Sequence, residues 1–570
     1  MLAILRQCGI LLSEINSKVI AMIPWNIYPR PRMKRDSFLC LNGTWDFCVC
    51  KENEKPSFDE KIRVPYCPQS PLSGIHRNVP QTHVCHYKRS FTLPEGFRKE
   101  QVLLHFGAVD QEAVVYLNGN HVGNHTGGYL PFTFDITVYL QPENELIVTV
   151  TDRLDDAVLP YGKQKEKRGG MWYTPVTGIW QTVWLESVPD DHIRDIAVET
   201  AEKSVSIELL GTGANGTLTL SETGAAYPIA NGKCSFEIPV PHLWSPEDPY
   251  LYHFTAEIES GDKITSYFAL RTLTTETVDG IPRLCLNGKP YFFHGLLDQG
   301  YFPGGIYTPE TPDAYEKDIL TAKRLGFNTL RKHIKIEPPI FYEACDRLGM
   351  IVFQDMVNNG RYSFLRDTAL PTVGLKKLPG CFAHRSAQQK TAFLRHMKAT
   401  VGHLRSHPSI CLWTIFNEGW GQFEGTKMYN ELKKLDDTRF IDTASGWFKG
   451  CESDVNSPHV YFRPFRFKGH KKPTILSEFG GYVKKEQGHL FNENATYGYG
   501  TCKDRESYMQ ALERVYETEI IPAIPKGLCG SIYTQLTDVE DELNGLVTYD
   551  RQVIKPDEGR MRKIAEKLKI

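Results

Sequence analysis

Two β-sandwiches followed by a parallel (β/α)8 barrel is the multidomain fold the sequence predicts, on three observations. From residue 25 to 274, short apolar runs alternate with turn residues and show no helical period. Beyond residue 275, apolar strands alternate with amphipathic helical stretches, the pattern of parallel βα units. Eight such strands over roughly 300 residues match the count and size of a TIM barrel. A chain of 570 residues is also too long for one hydrophobic core, so two to four domains are expected.

Residues 1–24 read as a short N-terminal extension. Arg6, Glu14 and Lys18 interrupt the apolar stretches of this segment, so no block reaches the length of a secretory signal core. Nothing later approaches a transmembrane run. Residues 25–187 hold strand-like runs such as Gln101-Val-Leu-Leu-His-Phe-Gly and Glu145-Leu-Ile-Val-Thr-Val. The Asn-Gly pairs at 42–43 and 118–119 suit tight hairpins, because both residues tolerate positive φ. This is the pattern of a jelly-roll sandwich. Residues 188–274 carry weaker strand signals, such as Val205-Ser-Ile-Glu-Leu-Leu, over a length that suits a small immunoglobulin-like sandwich.

In the barrel region, 275–570, the expected strands are Phe292–Asp298, Thr329–Ile334, Ile351–Asp355, Cys411–Glu418, Phe440–Ser445, His459–Phe462, Thr474–Phe479 and Ser531–Thr537. Helical segments at Pro312–Leu325, Ala387–Arg405 and Ser507–Ile520 fall between them.

The 66 basic and 68 acidic side chains nearly cancel. That balance gives no electrostatic reason to expect nucleic acid or an anionic membrane as a partner. The 14 cysteines are scattered without metal-finger spacing and read as reduced, buried thiols of a cytosolic protein. No dedicated metal cluster is evident, so neither metal nor cofactor is expected. With 27 Tyr, 29 Phe and 9 Trp, aromatic surface on which a sugar ring can stack is plentiful.

Strand after strand ends, on its C-terminal side, in a chemically capable group: Asp298, His333, Asp355, Glu418, Tyr461, Glu478 and Gln535. In a (β/α)8 barrel those ends converge on one face, which carries the active site. Two of them stand out. Leu412-Trp-Thr-Ile-Phe-Asn-Glu ends an apolar strand in Asn417-Glu418 before Gly419-Trp420-Gly421, and Thr474-Ile-Leu-Ser-Glu ends another in Glu478 before Gly480-Gly481. Burial at a strand end favours the neutral carboxyl, and flanking glycines allow close backbone approach. A carboxyl pair across a barrel mouth is what glycoside hydrolysis requires, and a separation of about 5 Å implies retention of configuration. A lone Glu at a strand end is more often a surface or ion-paired residue; the pairing, with Asn417 beside one member, is what carries the reading.

Trp413-Thr-Ile-Phe-Asn-Glu-Gly-Trp and Ile475-Leu-Ser-Glu-Phe-Gly-Gly resemble the acid/base and nucleophile motifs of glycoside hydrolase family 2. Leu41-Asn-Gly-Thr-Trp-Asp-Phe and Thr177-Gly-Ile-Trp-Gln-Thr-Val-Trp-Leu-Glu resemble the start and end of that family's sugar-binding jelly roll. Leu243-Trp-Ser-Pro-Glu-Asp-Pro-Tyr and Phe268-Ala-Leu-Arg resemble the end of its immunoglobulin-like domain. The resemblance covers nearly the whole chain from about residue 25. It implies Glu418 as general acid/base, Glu478 as nucleophile, Asn417 as donor to the sugar 2-hydroxyl, Arg331 as orienter of Glu478, His333 as a pocket wall and Tyr461 as a hydrogen-bond partner of the nucleophile. It also implies a carbohydrate substrate and allows a homo-oligomer.

The sugar should be read from Asp298, Gln299, Trp420, Tyr533 and Gln535. Gly295-Leu-Leu-Asp-Gln-Gly stands where many relatives carry His-Glu or His-Asp, and no Asn-x-Lys element of the kind that binds a uronate follows Tyr533. The run Asp538-Val-Glu-Asp-Glu-Leu would repel a uronate if it faced the pocket; it is equally readable as a solvated loop. A neutral hexopyranoside, β-galactoside first, is therefore expected, with β-glucoside, β-mannoside, arabinoside and β-glucuronide as alternatives. A non-catalytic carbohydrate-binding protein is the competing class, and the presence of both carboxylates argues against it.

Overall fold

The structure, a computed structural model, describes residues 23–372 and 386–570. The extension expected over 1–24 lies almost wholly outside the described residues.

The first sandwich pairs a four-stranded sheet, ordered 39–40, 183–188, 101–106, 132–135, with a six-stranded sheet, ordered 60–64, 43–51, 83–91, 144–151, 112–117, 120–126. Alternating residues such as Leu146, Val148 and Val150 point inward to a core with Trp45, Phe47 and Tyr87. Asn118 and Gly119 make a two-residue hairpin with both φ values positive, 52° and 79°. The Asn42-Gly43 pair does not. It passes the chain from one sheet to the other, with the Asn42 side chain donating to the Pro24 carbonyl at 3.1 Å and accepting from Val183 N at 2.9 Å. The second sandwich, strands from Asp195–Thr200 to Lys263–Phe268, faces a three-stranded sheet with a four-stranded one.

The barrel strands are β1 (Phe293–Asp298), β2 (Thr329–Lys332), β3 (Ile351–Asp355), β4 (Ile410–Asn417), β5 (Phe440–Ser445), β6 (His459–Val460), β7 (Thr474–Phe479) and β8 (Leu528–Tyr533). They run parallel in the order β5-β4-β3-β2-β1-β8-β7-β6. Strands buried on both faces read as nearly continuous apolar runs, and β1, β3, β4, β5, β7 and β8 are buried at every position. No ladder joins β5 to β6 among the described residues; backbone bonds Gly446 N to Ser457 O and Asp454 N to Ile441 O, both 2.9 Å, span that seam. Outer helices are α1 (Asp313–Arg324), α2 (Pro339–Leu348), α3 (Ala387–Leu404), α4 (Gly425–Leu435), α5 (Arg505–Val515) and α6 (Glu558–Ala565). Ser386 caps α3 and an Asp504–Ser507 capping box starts α5. No helix among the described residues is long and apolar enough to cross a membrane.

The eighth strand begins and ends three to four residues earlier than Ser531–Thr537. Gly530 masks its start, since a glycine weakens the strand signal; a Cβ there would meet the Phe293 carbonyl at 2.8 Å. Its end comes at Tyr533 because Thr534 N turns to the Phe479 carbonyl (3.0 Å) and Gln535 N to that of Asn544 (3.2 Å).

One apolar cluster crosses from the first sandwich into the barrel, holding Trp172, Tyr173 and Trp180 together with Tyr301, Tyr307 and Trp420. Hydrogen bonds fix this seam: Trp25 Nε1 to Pro309 O (3.0 Å), Tyr161 OH to Gly360 O (2.9 Å) and Tyr129 OH with Tyr307 OH (2.9 Å). Residues 161–174 of the sandwich are thereby laid across the C-terminal mouth of the barrel.

Candidate active site

Glu418 follows the last residue of β4 with φ +52°, a left-handed turn that lifts the side chain off the strand. Gly419 permits that turn, since a Cβ there would stand 2.1 Å from the Phe448 ring. Glu478, near the end of β7, precedes Gly480, where a Cβ would stand 2.3 Å from the Tyr533 ring. The two carboxylates approach each other, with one oxygen of each and a nitrogen of His459 all within 4.8 Å of one another. Each of these three groups offers one ligand atom, so together they could hold a cation; His459 Nδ1 lies 2.8 Å from Glu418 Oε1 and 3.5 Å from Glu478 Oε2.

Arg331, from β2, ties the mouth together. Its guanidinium donates to Asp355 Oδ1 (3.0 Å), Glu478 Oε1 (3.0 Å), the Ser477 carbonyl (3.0 Å) and Asn417 Oδ1 (2.9 Å), and pairs with Asp355 Oδ2 at 3.0 Å. Five contacts at such distances from one planar fork fix four neighbours at once. His333 Nδ1 lies 2.7 Å from Asp355 Oδ2. Burial works against charge on Asp355, yet Arg331 and His333 hold its carboxyl below the ordinary range. Tyr461 OH donates to Glu478 Oε2 and lies 3.0 Å from Thr534 Oγ1.

Among the described residues no guanidinium is hydrogen-bonded to Glu418. Burial raises its carboxyl above the ordinary value, with Lys163, His333 and Arg331 pulling the other way. His459 Nδ1 is 2.8 Å from Glu418 Oε1 and its Nε2 3.0 Å from Ser445 Oγ. Burial drops the His459 imidazole to about 3, so it is neutral at pH 7. One carboxyl is thus biased towards protonation and the other is served by an arginine and a tyrosine hydroxyl, an acid beside a carboxylate held for attack.

Not every predicted residue contacts Glu418 or Glu478. Asp298 is in register with Lys332 across β1 and β2 and accepts from its Nζ at 2.6 Å and from Gly300 N at 2.9 Å. Its carboxylate is spent in a buried Lys332–Glu337–Lys335 network. Tyr533 packs behind Gly480, with its hydroxyl accepting from Tyr482 N at 3.1 Å. Trp420 stands edge-on to Trp172 (5.2 Å) and Tyr161 (5.5 Å), its Nε1 donating to Gly360 O. Gln299 and Gln535 are buried, and each keeps an amide oxygen with no partner.

Residues absent from the sequence expectation also reach the mouth. His459 could have been found, since it lies two residues before Tyr461 on the same strand face. Lys163 and Tyr173, borne by the first sandwich, carry no local signal. The acidic run is not a solvated loop: Asp538, Glu540 and Glu542 are all buried.

The family description "Glycosyl hydrolases family 2, TIM barrel domain" matches residues 281–570, its sugar binding domain residues 66–189 and a third family 2 domain residues 186–271. A β-galactosidase of Thermoanaerobacter pseudethanolicus is 26% identical over 527 residues, covering 82% of this chain and 65% of that protein. The β-glucuronidase of Mus musculus is 24% identical over 454 residues, 70% of this chain and 66% of that one. Of a putative β-glucuronidase from Formosa agariphila the chain spans only 40%. In structure, the β-D-glucuronidase of Dictyoglomus thermophilum superposes with a TM-score of 0.74 at 20% identity, covering 95% of this chain and 98% of that one. A β-galacturonidase of Eisenbergiella tayi gives 0.68 at 19% identity, covering 96% and 99%. At these identities the structural likeness establishes a shared fold.

Proposed function

The chain belongs to glycoside hydrolase family 2, and on that premise we propose that it is a retaining exo-β-glycosidase removing a terminal β-linked neutral hexose, a β-galactoside first. The observation that carries the mechanism is the approach of Glu418 and Glu478 oxygens to within 4.8 Å, the short spacing of retaining enzymes rather than the wider gap that admits a water between the carboxyls.

In the first step Glu478 attacks the anomeric carbon while Glu418 gives its proton to the departing glycosidic oxygen. In the second, Glu418, now a carboxylate, takes a proton from water, which displaces Glu478 from the sugar and restores both groups. Arg331 and Tyr461 aim Glu478 and stabilise the charge it regains as the covalent bond breaks. Asn417, oriented by Arg331, turns its amide N–H towards the sugar 2-hydroxyl. His333 and Asp355 brace Arg331 from behind. Burial keeps Glu418 protonated to a higher pH than a free carboxyl, as a general acid requires.

Relatives named as β-galactosidases and as β-glucuronidases support the family-level chemistry equally. Lys163 is the observation that favours a β-glucuronide as the second reading, because its ammonium lies 5.8 Å from the Trp172 ring, which packs at 5.2 Å on Trp420 after β4. Hydrolysis of a panel of nitrophenyl glycosides tests the choice, and turnover of the glucuronide alone overturns the neutral-sugar reading. NMR of the first-formed anomer tests retention without reference to any relative.

A further inference from the structure

The acidic run from Asp538 to Glu542, after β8, carries four carboxylates, and three have cationic neighbours. Asp538 pairs with Lys555 at 2.6 Å, Asp541 with Arg168 at 2.8 Å, and Glu540 lies 3.7 Å from Arg168 while accepting from Thr174 N at 3.1 Å. Glu542 is 3% exposed and, among the described residues, makes no ion pair. Its contacts are neutral donors: Tyr173 OH to Oε2, and Asn544 Nδ2 to Oε1 at 2.9 Å. A carboxylate offers about four lone-pair sites, so acceptor capacity remains after those two bonds.

A chain of contacts links Glu542 to the catalytic centre. Tyr497 is bridged to Glu542 along the backbone, the Tyr497 and Tyr499 rings lie 6.1 Å apart, and Tyr499 stacks at 4.0 Å on Tyr461, whose hydroxyl donates to Glu478. Burial raises the Glu542 carboxyl, opposed by Tyr173, Lys163 and Asn544, and the negative charge of Glu478 adds to the rise.

The amides beside Glu542 have only one sensible orientation. Glu542 accepts, so Asn544 must present its NH2 there and its oxygen to Gln535. Gln535 must then donate, as Nε2 to Asn544 Oδ1 at 2.9 Å. That leaves Gln535 Oε1 buried with no donor, and Gln299 Oε1, at the end of the adjacent strand β1, is in the same condition. Buried acceptors without donors are rare and need an explanation.

We infer that Glu542, supported by the free amide oxygens of Gln535 and Gln299, is the specificity-determining wall of the sugar pocket: it accepts hydrogen bonds from hydroxyls of a neutral terminal hexose and rejects a uronate. A wall of acceptors needs donors facing it; hydroxyls supply them, whereas an ionised C6 carboxylate supplies none and meets like charge. This rests on the glycosidase reading above and sharpens its substrate.

The test is kcat/KM of wild type, Glu542→Gln and Tyr173→Phe on nitrophenyl β-D-galactoside, β-D-glucoside, β-D-glucuronide and β-D-galacturonide. Glu542→Gln keeps the shape and removes the charge. It should lower activity on the preferred neutral glycoside by about 10- to 100-fold, the worth of one hydrogen bond to a charged group, and should not lower activity on either uronide. Tyr173→Phe, which removes one donor to Glu542, should shift the neutral-to-uronide ratio in the same direction by less. A ratio within about threefold of wild type in folded Glu542→Gln, or a wild type that prefers a uronide, overturns the inference. Should Glu542→Gln not fold, inhibition of wild type decides: galactose should bind at least about tenfold more tightly than galacturonate, and equal binding overturns the inference. Absence of turnover on every glycoside would instead refute the glycosidase reading itself.

Discussion

Replacing Arg331 by methionine removes the group that four neighbours depend on. The guanidinium is buried and serves both oxygens of Asp355, one of Glu478, the Asn417 amide oxygen and the Ser477 carbonyl, all at 2.9–3.0 Å. Methionine matches its length and returns none of these contacts. Removing one partner of a buried ion pair costs about 3–5 kcal/mol, because the other charge is left without compensation. Here one cation serves two carboxylates, so the loss in unfolding free energy should lie near the top of that range, about 5 kcal/mol. Asp355→Asn removes one of the two stranded charges. The double variant should therefore recover about 1–3 kcal/mol relative to the sum of the singles, the size of coupling seen between residues of one network. Glu478 also loses its orienting contact, and a misplacement of about 1 Å costs roughly 100-fold in rate. Urea titrations followed by tryptophan fluorescence give the stabilities; kcat on the best nitrophenyl glycoside gives the activity. A loss below about 1 kcal/mol, additive singles, or a kcat within about threefold of wild type would refute the view that Arg331 organises the site.

Three further outcomes follow from the same geometry. Glu478→Gln should lower kcat by several orders of magnitude while sugar binding, measured calorimetrically with galactose, persists; retained turnover would remove Glu478 from the role of nucleophile. Glu418→Gln should slow substrates with poor leaving groups far more than a dinitrophenyl glycoside in the glycosylation step, and a uniform loss would contradict its role as proton donor. The alkaline limb of kcat/KM reports loss of the proton from Glu418 in the free enzyme: its raised carboxyl is active below its pKa, and activity falls as pH rises through it. Because Lys163 pulls that value down, Lys163→Met should move the limb to higher pH, and a limb that stays put or moves lower would exclude Lys163 from the mouth.

The barrel was readable because parallel strands buried on both faces leave unbroken apolar runs, and because a carboxylate that directly ends such a run is conspicuous, as with Glu418 and Glu478. The same pattern located His333, Asp355 and Tyr461, while Arg331 came only from the family resemblance. It could not say which way a strand-end side chain turns. Asp298 has the right residue type in the right place, yet Lys332, its register partner on the next strand, captures it. Tyr533 was expected in the pocket and instead fills the space that Gly480 leaves open. The acidic run from Asp538 left a solvated loop and a pocket-facing wall equally open, since its partners Tyr173, Thr174 and Arg168 lie more than 360 residues earlier in the chain. Pairings at that distance leave no local trace; only the docking of one domain on another creates them.

That docking bears on how sugar preference can change. Glu418 and Glu478 stand at the ends of barrel strands, whereas Tyr173, which holds Glu542, and Lys163, which tempers both Glu542 and Glu418, arrive on a segment of a separate domain. The carboxylates that break the bond and the wall inferred to choose the sugar thus share the barrel, while a group that holds that wall in place comes from another domain. If Glu542 selects the sugar, substitutions in residues 161–174 should retune that selection through its support while the two carboxylates that cleave the bond stay untouched.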